Sequence, residues 1–205
     1  MKNSFKIMLT MVAFFASTSS VNAQFSNKES NRVPDRFHMG VRGGMTINSY
    51  TKDLKDGKSA VFPTGGIALD FKVAPFPLYV GTAVNYVNYA VMGKTMSGND
   101  QKKDVHAIQV PITVSYHINV APNLFVNPFI GEFMAVAVSK DGYGTKEAID
   151  KDFNYGLRAG VGINYGRLTF DVGYDLGLAN LGKGSLTTRT STFFMTLGYN
   201  WLGSR

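Results

Sequence analysis

Residues 153 to 165 alternate without a break. Phe153, Tyr155, Leu157, Ala159, Val161, Ile163 and Tyr165 hold one parity, while Asn154, Gly156, Arg158, Gly160, Gly162 and Asn164 hold the other. After Gly166-Arg167 the pattern resumes with the parity exchanged. Leu168, Phe170, Val172, Tyr174, Leu176 and Leu178 now oppose Thr169, Asp171, Gly173, Asp175 and Gly177. A period of 2 belongs to a strand, because a helix would repeat near 3.6. Both runs are longer than the usual globular strand of about five or six residues. They suit a tilted strand crossing a bilayer, which needs about 9–11.

Six more segments carry the signature with varying clarity. Over 37–50, Met39, Val41, Met45 and Ile47 oppose His38, Gly40, Arg42, Gly44, Thr46 and Asn48. Over 64–73, Ile67, Leu69, Phe71 and Val73 oppose Gly66, Ala68, Asp70 and Lys72. Residues 105–118 set Ile108, Val110, Ile112, Val114, Tyr116 and Ile118 against Gln109, Pro111, Thr113, Ser115 and His117. Residues 191–201 set Phe193, Met195, Leu197, Tyr199 and Trp201 against Thr192, Thr196, Gly198 and Asn200. Segments 78–92 and 124–139 are apolar on both parities, and Glu132 interrupts the second. Bulges that switch the alternation would account for them. Pro111 and Pro128 fall inside strands although proline cannot donate to a ladder.

The connections alternate too. Stretches rich in Lys, Asp, Gly and Ser lie near 51–62, 94–104, 140–151 and 179–190, and between them come the tight links Ala74-Pro75-Phe76, Ala121-Pro122-Asn123 and Gly166-Arg167. Long loops on one side and short turns on the other are the habit of transmembrane barrels. The expected fold is therefore all-β: a closed antiparallel transmembrane β-barrel of about eight strands over 37–202, with a tail at 203–205. Tyr79, Tyr86, Tyr89, Tyr116, Phe153, Tyr155, Tyr165, Tyr174, Tyr199 and Trp201 fall near strand ends, where interfacial girdles would use them.

The N-terminus adds a destination. Lys2 and Lys6 flank an apolar run from Ile7 to Ala16, followed by small polar residues and Val21-Asn22-Ala23. That order reads as a signal peptide over 1–23, cut between Ala23 and Gln24, with a polar periplasmic lead-in over 24–36. Later apolar stretches are all broken by charges, Gly or Asn, so no helical span is expected. There are no cysteines, so disulfides do not staple the exported domain; a closed barrel in lipid is held by its fully paired ladder instead. The net charge of +7 becomes +5 without Lys2 and Lys6. The remaining lysines scatter mostly over the predicted loops, which suits anionic headgroups and shows no patch for nucleic acid. The expected location is the outer membrane, with its lipid as the immediate partner; any protein partner is left open.

Arg42, Asp70, Lys72, Arg158, Asp171 and Asp175 all take the predicted inward parity. An eight-stranded barrel is just wide enough for side chains to fill. Buried charges of both signs must pair, so these six are expected to form a structural lumen network. A narrow path for ions or small solutes is the rival reading. A second rival is a soluble exported barrel binding an apolar ligand, which requires an apolar interior and a polar exterior. Ser115 and His117 share a face two residues apart and could be a nucleophile–base pair, but they line a polar lumen more simply, and no enzyme is expected. No His pair has metal-ligand spacing, the 140–144 loop holds one carboxylate, too few for calcium, and Gly160-Val161-Gly162 lies within a strand, so no metal or other cofactor is expected.

Several of these segments resemble the small, porin-like outer-membrane β-barrel domain family. The resemblance rests on Gly40-Val41-Arg42-Gly43-Gly44-Met45-Thr46, Ile108-Gln109-Val110-Pro111-Ile112, Pro128-Phe129-Ile130-Gly131, the glycine-rich late pair and the aromatic-ended last strand. It implies an eight-stranded outer-membrane barrel inserted by the barrel-insertion machinery through its last strand. Such barrels usually end on an aromatic residue, whereas here Leu202-Gly203-Ser204-Arg205 follow Trp201.

Overall fold

The computed structural model describes residues 37–52, 60–73, 75–89, 91–94, 100–141, 152–181 and 188–202. The expected leader with its cut at Ala23 and Gln24, the 24–36 lead-in, the 203–205 tail and much of the long loops lie outside the described residues.

Among the described residues ten strands follow in order: β1 (Phe37–Lys52), β2 (Ala60–Lys72), β3 (Leu78–Asn88), β4 (Val91–Lys94), β5 (Asp100–Tyr116), β6 (Ile118–Ala121), β7 (Leu124–Asp141), β8 (Phe153–Tyr165), β9 (Leu168–Gly177) and β10 (Thr188–Leu202). Eight of them form the wall, each antiparallel to its neighbours, and pairing of β5 with β7 and of β1 with β10 closes it. The short strands extend wall strands. β4 carries the β3 register against β5 onward, from Asn88↔His106 to Val91↔Lys103, and β6 carries β5 onward against β7.

Closure leaves no free edge, and the alternation decides what each face meets. Side chains of β8 and β9 alternate between exposed and buried along nearly their whole length. The exposed set is apolar: Ile130 is 66% exposed, Leu197 61% and Val84 56%, whereas Arg158 is 9% exposed and Asp175 2%. A wall with hydrocarbon outside and charge inside inverts a soluble protein, and so broad an apolar exterior is stable only against lipid. This excludes the soluble barrel. By the barrel rule, the short turns face the periplasm and the long loops the outside.

The turns and prolines follow from backbone chemistry. Gly166 takes φ 56° at the first central position of the β8–β9 turn, and Asn123 takes φ 63° after Pro122 in the β6–β7 turn. These are positions where glycine and asparagine are favoured. Pro111 lies where the β3–β5 ladder skips from Thr82↔Ile112 to Asn85↔Gln109. The Thr82 hydroxyl donates to the Pro111 carbonyl at 2.9 Å across that gap. Pro128 lies where β7 passes from β5 to β6 as partner. Each missing N–H thus falls at or beside an interruption in a ladder.

Three expectations need correction. Segment 78–92 contains no bulge, since its register against β5 never shifts. It is apolar on both parities because its inward residues Tyr79, Ala83, Val87 and Tyr89 pack inside the barrel. In β7 the register does shift, near Val138 at the loop end, yet Phe133 and Ala135 are simply buried in the lumen and Glu132 points outward. Tyr79 and Tyr89, each 4% exposed, are lumen residues and not girdle residues. The interior also differs along its length. Val87, Tyr89, Val105, Ala107, Ala135, Ala179 and Leu181 form an apolar cluster at the loop end.

Candidate functional site: the charged lumen

Two arginines organise the inner wall. Arg158, on β8, faces Asp175 in the paired position on β9. Its Nε donates to Asp175 Oδ1 and its Nη2 to Asp175 Oδ2, both at 2.6 Å. Gln109, from β5 on the far side of β7, accepts from Arg158 Nη2 at 2.8 Å and donates through Nε2 to Asp175 Oδ2 at 2.9 Å and to the Tyr89 hydroxyl at 3.1 Å. The Arg158 guanidinium lies over the Phe194 ring, 4.3 Å from its centroid. A forked, doubly hydrogen-bonded pair stacked on an aromatic face is the arrangement that best offsets desolvation of both ions.

Arg42, on β1, makes the second cluster. Its Nε lies 3.3 Å from Asp171 of β9, its Nη2 lies 3.9 Å from Asp70 of β2, and its Nη1 donates to Asn200 Oδ1 at 2.8 Å. Glycine makes the room, because a Cβ on Gly198 would meet Arg42 Nη1 at 2.7 Å. Lys72 is inward and half-buried nearer the mouth, within electrostatic reach of His117. The six inward charges therefore occupy three places: the Arg158–Asp175 pair, the Arg42–Asp70–Asp171 group, and Lys72 by itself near the periplasmic rim.

At that rim His38, Tyr79 and His117 stack. The Tyr79 and His117 centroids are 3.8 Å apart at 13°, and His38 lies 5.4 Å from Tyr79. Ser115 Oγ and His117 Nε2 are 3.3 Å apart, but His117 backs onto Tyr79 and not onto a carboxylate that would orient it for base catalysis. His106 faces outward and bonds the Tyr86 hydroxyl. Between the rim and the apolar cluster lies a cavity of about 120 Å³ lined by Arg42, Asp70, Asp171, Asn127 and Thr113 among others. Gln109, Asn200, Tyr89 and Phe194 complete the arginine shells without having been singled out from the sequence. The inward parity of Gln109 and Asn200 was visible in the sequence; that of Tyr89 and Phe194, and which of these side chains reach the two arginines, was not.

A family model described as outer membrane protein beta-barrel domain matches residues 22–182. The chain belongs to that family. As a member it is a barrel of the Gram-negative outer membrane, in contact with lipid, and the matched part stops short of β10, the strand that closes the wall. No curated protein matches the sequence. Among solved structures, this outer-membrane barrel is similar to Ail, the attachment invasion locus protein of Yersinia pestis, at 11% identity and TM-score 0.44, covering 81% of this chain and 99% of that one. It is similar also to Neisserial surface protein A, at 13% identity and TM-score 0.42, covering 78% and 96%. The N-terminal β-barrel domain of Pseudomonas aeruginosa OprF shows 12% identity and TM-score 0.38, with 79% and 97% covered.

Proposed function

We propose that this barrel serves in the outer membrane as a structural or interaction protein acting through its surface loops, without catalysing a reaction or carrying solutes. The observation that supports this reading is the filled lumen. The Arg158–Asp175–Gln109 shell bridges β8, β9 and β5 across the interior, and the apolar cluster of Val87, Tyr89, Val105 and Leu181 stands between it and the loop end. An ion would have to shed water to pass that cluster, at a steep cost. In this reading the inward charges hold the strands together. Insertion proceeds through β10 and the barrel-insertion machinery.

The rival reading, a narrow channel, draws on the polar cavity that the same charges line. Planar-bilayer recording separates the two. The purified barrel is expected to be electrically silent, while Val87→Ser/Leu181→Ser, which makes the cluster polar, should admit small steps. Discrete openings in the parent protein would overturn the non-transport assignment.

A further inference from the structure

Arg167 stands in the short β8–β9 turn, where its main-chain oxygen accepts from the Asn200 amide at 2.8 Å. Strand alternation alone would give it the inward parity of Thr169, yet its side chain is exposed and its Nη1 donates to the Tyr199 hydroxyl at 3.1 Å. Tyr199 projects outward from β10, so this bond draws the guanidinium to the outer edge of the wall. Arg42 and Arg158, by contrast, are held inside the barrel by carboxylates. Among the described residues no carboxylate pairs with Arg167, and the tyrosine hydroxyl is the one hydrogen-bond partner of its side chain.

The neighbours of this pair fix its depth. The register sets Tyr165, Leu168 and Tyr199 side by side on β8, β9 and β10, all three exposed, and Trp201 is the next outward aromatic along β10. Two tyrosines and a tryptophan at the margin of an apolar wall form a girdle at the level of the lipid headgroups. They border a short turn, which places this girdle at the periplasmic leaflet. Above it the outward row continues as Phe170 and Leu197, paired on β9 and β10 and both exposed to the acyl chains. The guanidinium is thus pinned where the lipid face of the wall ends and the phosphates of a bilayer begin.

The free edge of the guanidinium decides what fits. Of its five N–H donors, Tyr199 takes one of the two on Nη1. The Nε/Nη2 edge stays open for a forked pair of bonds, and it is the edge with which Arg158 grips both oxygens of Asp175. Such a fork matches the paired oxygens of a carboxylate or a phosphate. While accepting from Arg167, the Tyr199 hydroxyl keeps its own proton to donate to a bound oxygen. We propose that Arg167 and Tyr199 bind the phosphodiester of one phospholipid in the periplasmic leaflet, its acyl chains lying along Leu168, Phe170 and Leu197. The continuity of the site with the lipid-facing wall selects a lipid phosphate over a free one, because only the lipid also covers that apolar row.

The test titrates phosphatidylglycerol into the purified barrel folded in detergent and counts bound lipid by native mass spectrometry. One lipid is expected to stay on the parent after the detergent is stripped, whereas diacylglycerol with the same chains, which lacks the phosphate, should not. Arg167→Gln should raise the lipid concentration for half-occupancy about tenfold, as loss of a charge-assisted pair does. Tyr199→Phe, which alters no charge, should raise it as well, and added inorganic phosphate should leave the lipid in place. If Arg167→Gln gives no heat-modifiable band, Arg167→Lys keeps the charge, loses the fork and should show a weakened affinity in its stead. Equal occupancy in the parent and the Arg167 variant would overturn the proposal. So would binding untouched by Tyr199→Phe, which means diffuse attraction to a basic rim, or displacement of the lipid by inorganic phosphate.

Discussion

Arg158 concentrates more of the interior's energetics than any other described side chain: an ion pair, two hydrogen bonds to one carboxylate, one to Gln109 and a ring beneath it. Replacing it by Ala strands Asp175, 2% exposed, without a counter-ion, and removing one partner of a buried pair costs about 3–5 kcal/mol. Arg158→Ala should lower the unfolding free energy in detergent or vesicles by that order. Replacing both ions with apolar residues (Arg158→Met with Asp175→Leu) should restore most of the loss. An unchanged urea midpoint for the single variant would mean that the pair is idle. The floor beneath Phe194 gives a second residue-scale prediction. Gly173 lies against that ring, 2.5 Å from Cζ to where a Cβ would stand. Gly173→Ala should push the ring from under Arg158 and cost about 1–3 kcal/mol, as overpacking usually does. Equilibrium unfolding beside Gly43→Ala, whose Cβ would meet nothing within 4 Å, checks it.

Single strands show what a pattern can and cannot reveal. β8 and β9 were legible residue by residue, because each of their side chains meets either lipid or a polar lumen, and the two environments select opposite chemistry. β3 and β7 misled because their inner faces meet the apolar cluster, so period 2 persists in space after it has faded in composition. β2 begins at Ala60 and β5 at Asp100, inside stretches that read as loops, because a strand rising out of the bilayer meets water on both faces and loses its alternation. Lumen partners were less legible still. Parity puts Gln109 inside, but it does not show that its side chain reaches past β7, the strand between β5 and β8, to Arg158. Glu132 yields the prediction proper to this scale. It points outward between Ile112 and Leu157, its cross-strand neighbours, and a carboxylate on the lipid face is tolerated at a smaller penalty than a basic residue. Glu132→Leu should therefore stabilise the folded barrel, by about 1 kcal/mol, and Leu157→Arg beside it should destabilise it by about 2–4 kcal/mol if it sits near mid-depth. Urea unfolding in lipid vesicles reads both, and a Glu132→Leu variant less stable than the parent would show that the carboxylate has a partner on that face.

For the molecule as a whole, closure decides stability, and closure depends on the last strand. β1 pairs with β10 along nearly its entire length, from Met39↔Leu202 to Lys52↔Thr188, with one shift at Trp201. Without β10, both β1 and β9 would present unpaired N–H and C=O groups to hydrocarbon, where each costs several kcal/mol and no water can substitute. Lumen groups would be lost with it: Asn200 leaves Arg42, Phe194 leaves Arg158, and Thr192 leaves Asn48, to whose Oδ1 it donates at 2.8 Å. The strands that remain cannot settle for a smaller barrel, because re-pairing β9 with β1 would bring together faces now fitted to β10. A chain ending after residue 187 should accordingly fail to fold in detergent or vesicles. It should show no heat-modifiable shift on a gel and be digested throughout by protease, whereas the full chain shifts and is cut only in its loops. Removing residues 203–205 alone leaves every β1–β10 pair in place and should leave both readouts as in the parent. A protease-resistant, heat-modifiable product from the chain lacking β10 would mean that seven strands can close, and that the pairing of first strand with last is not what holds this barrel shut.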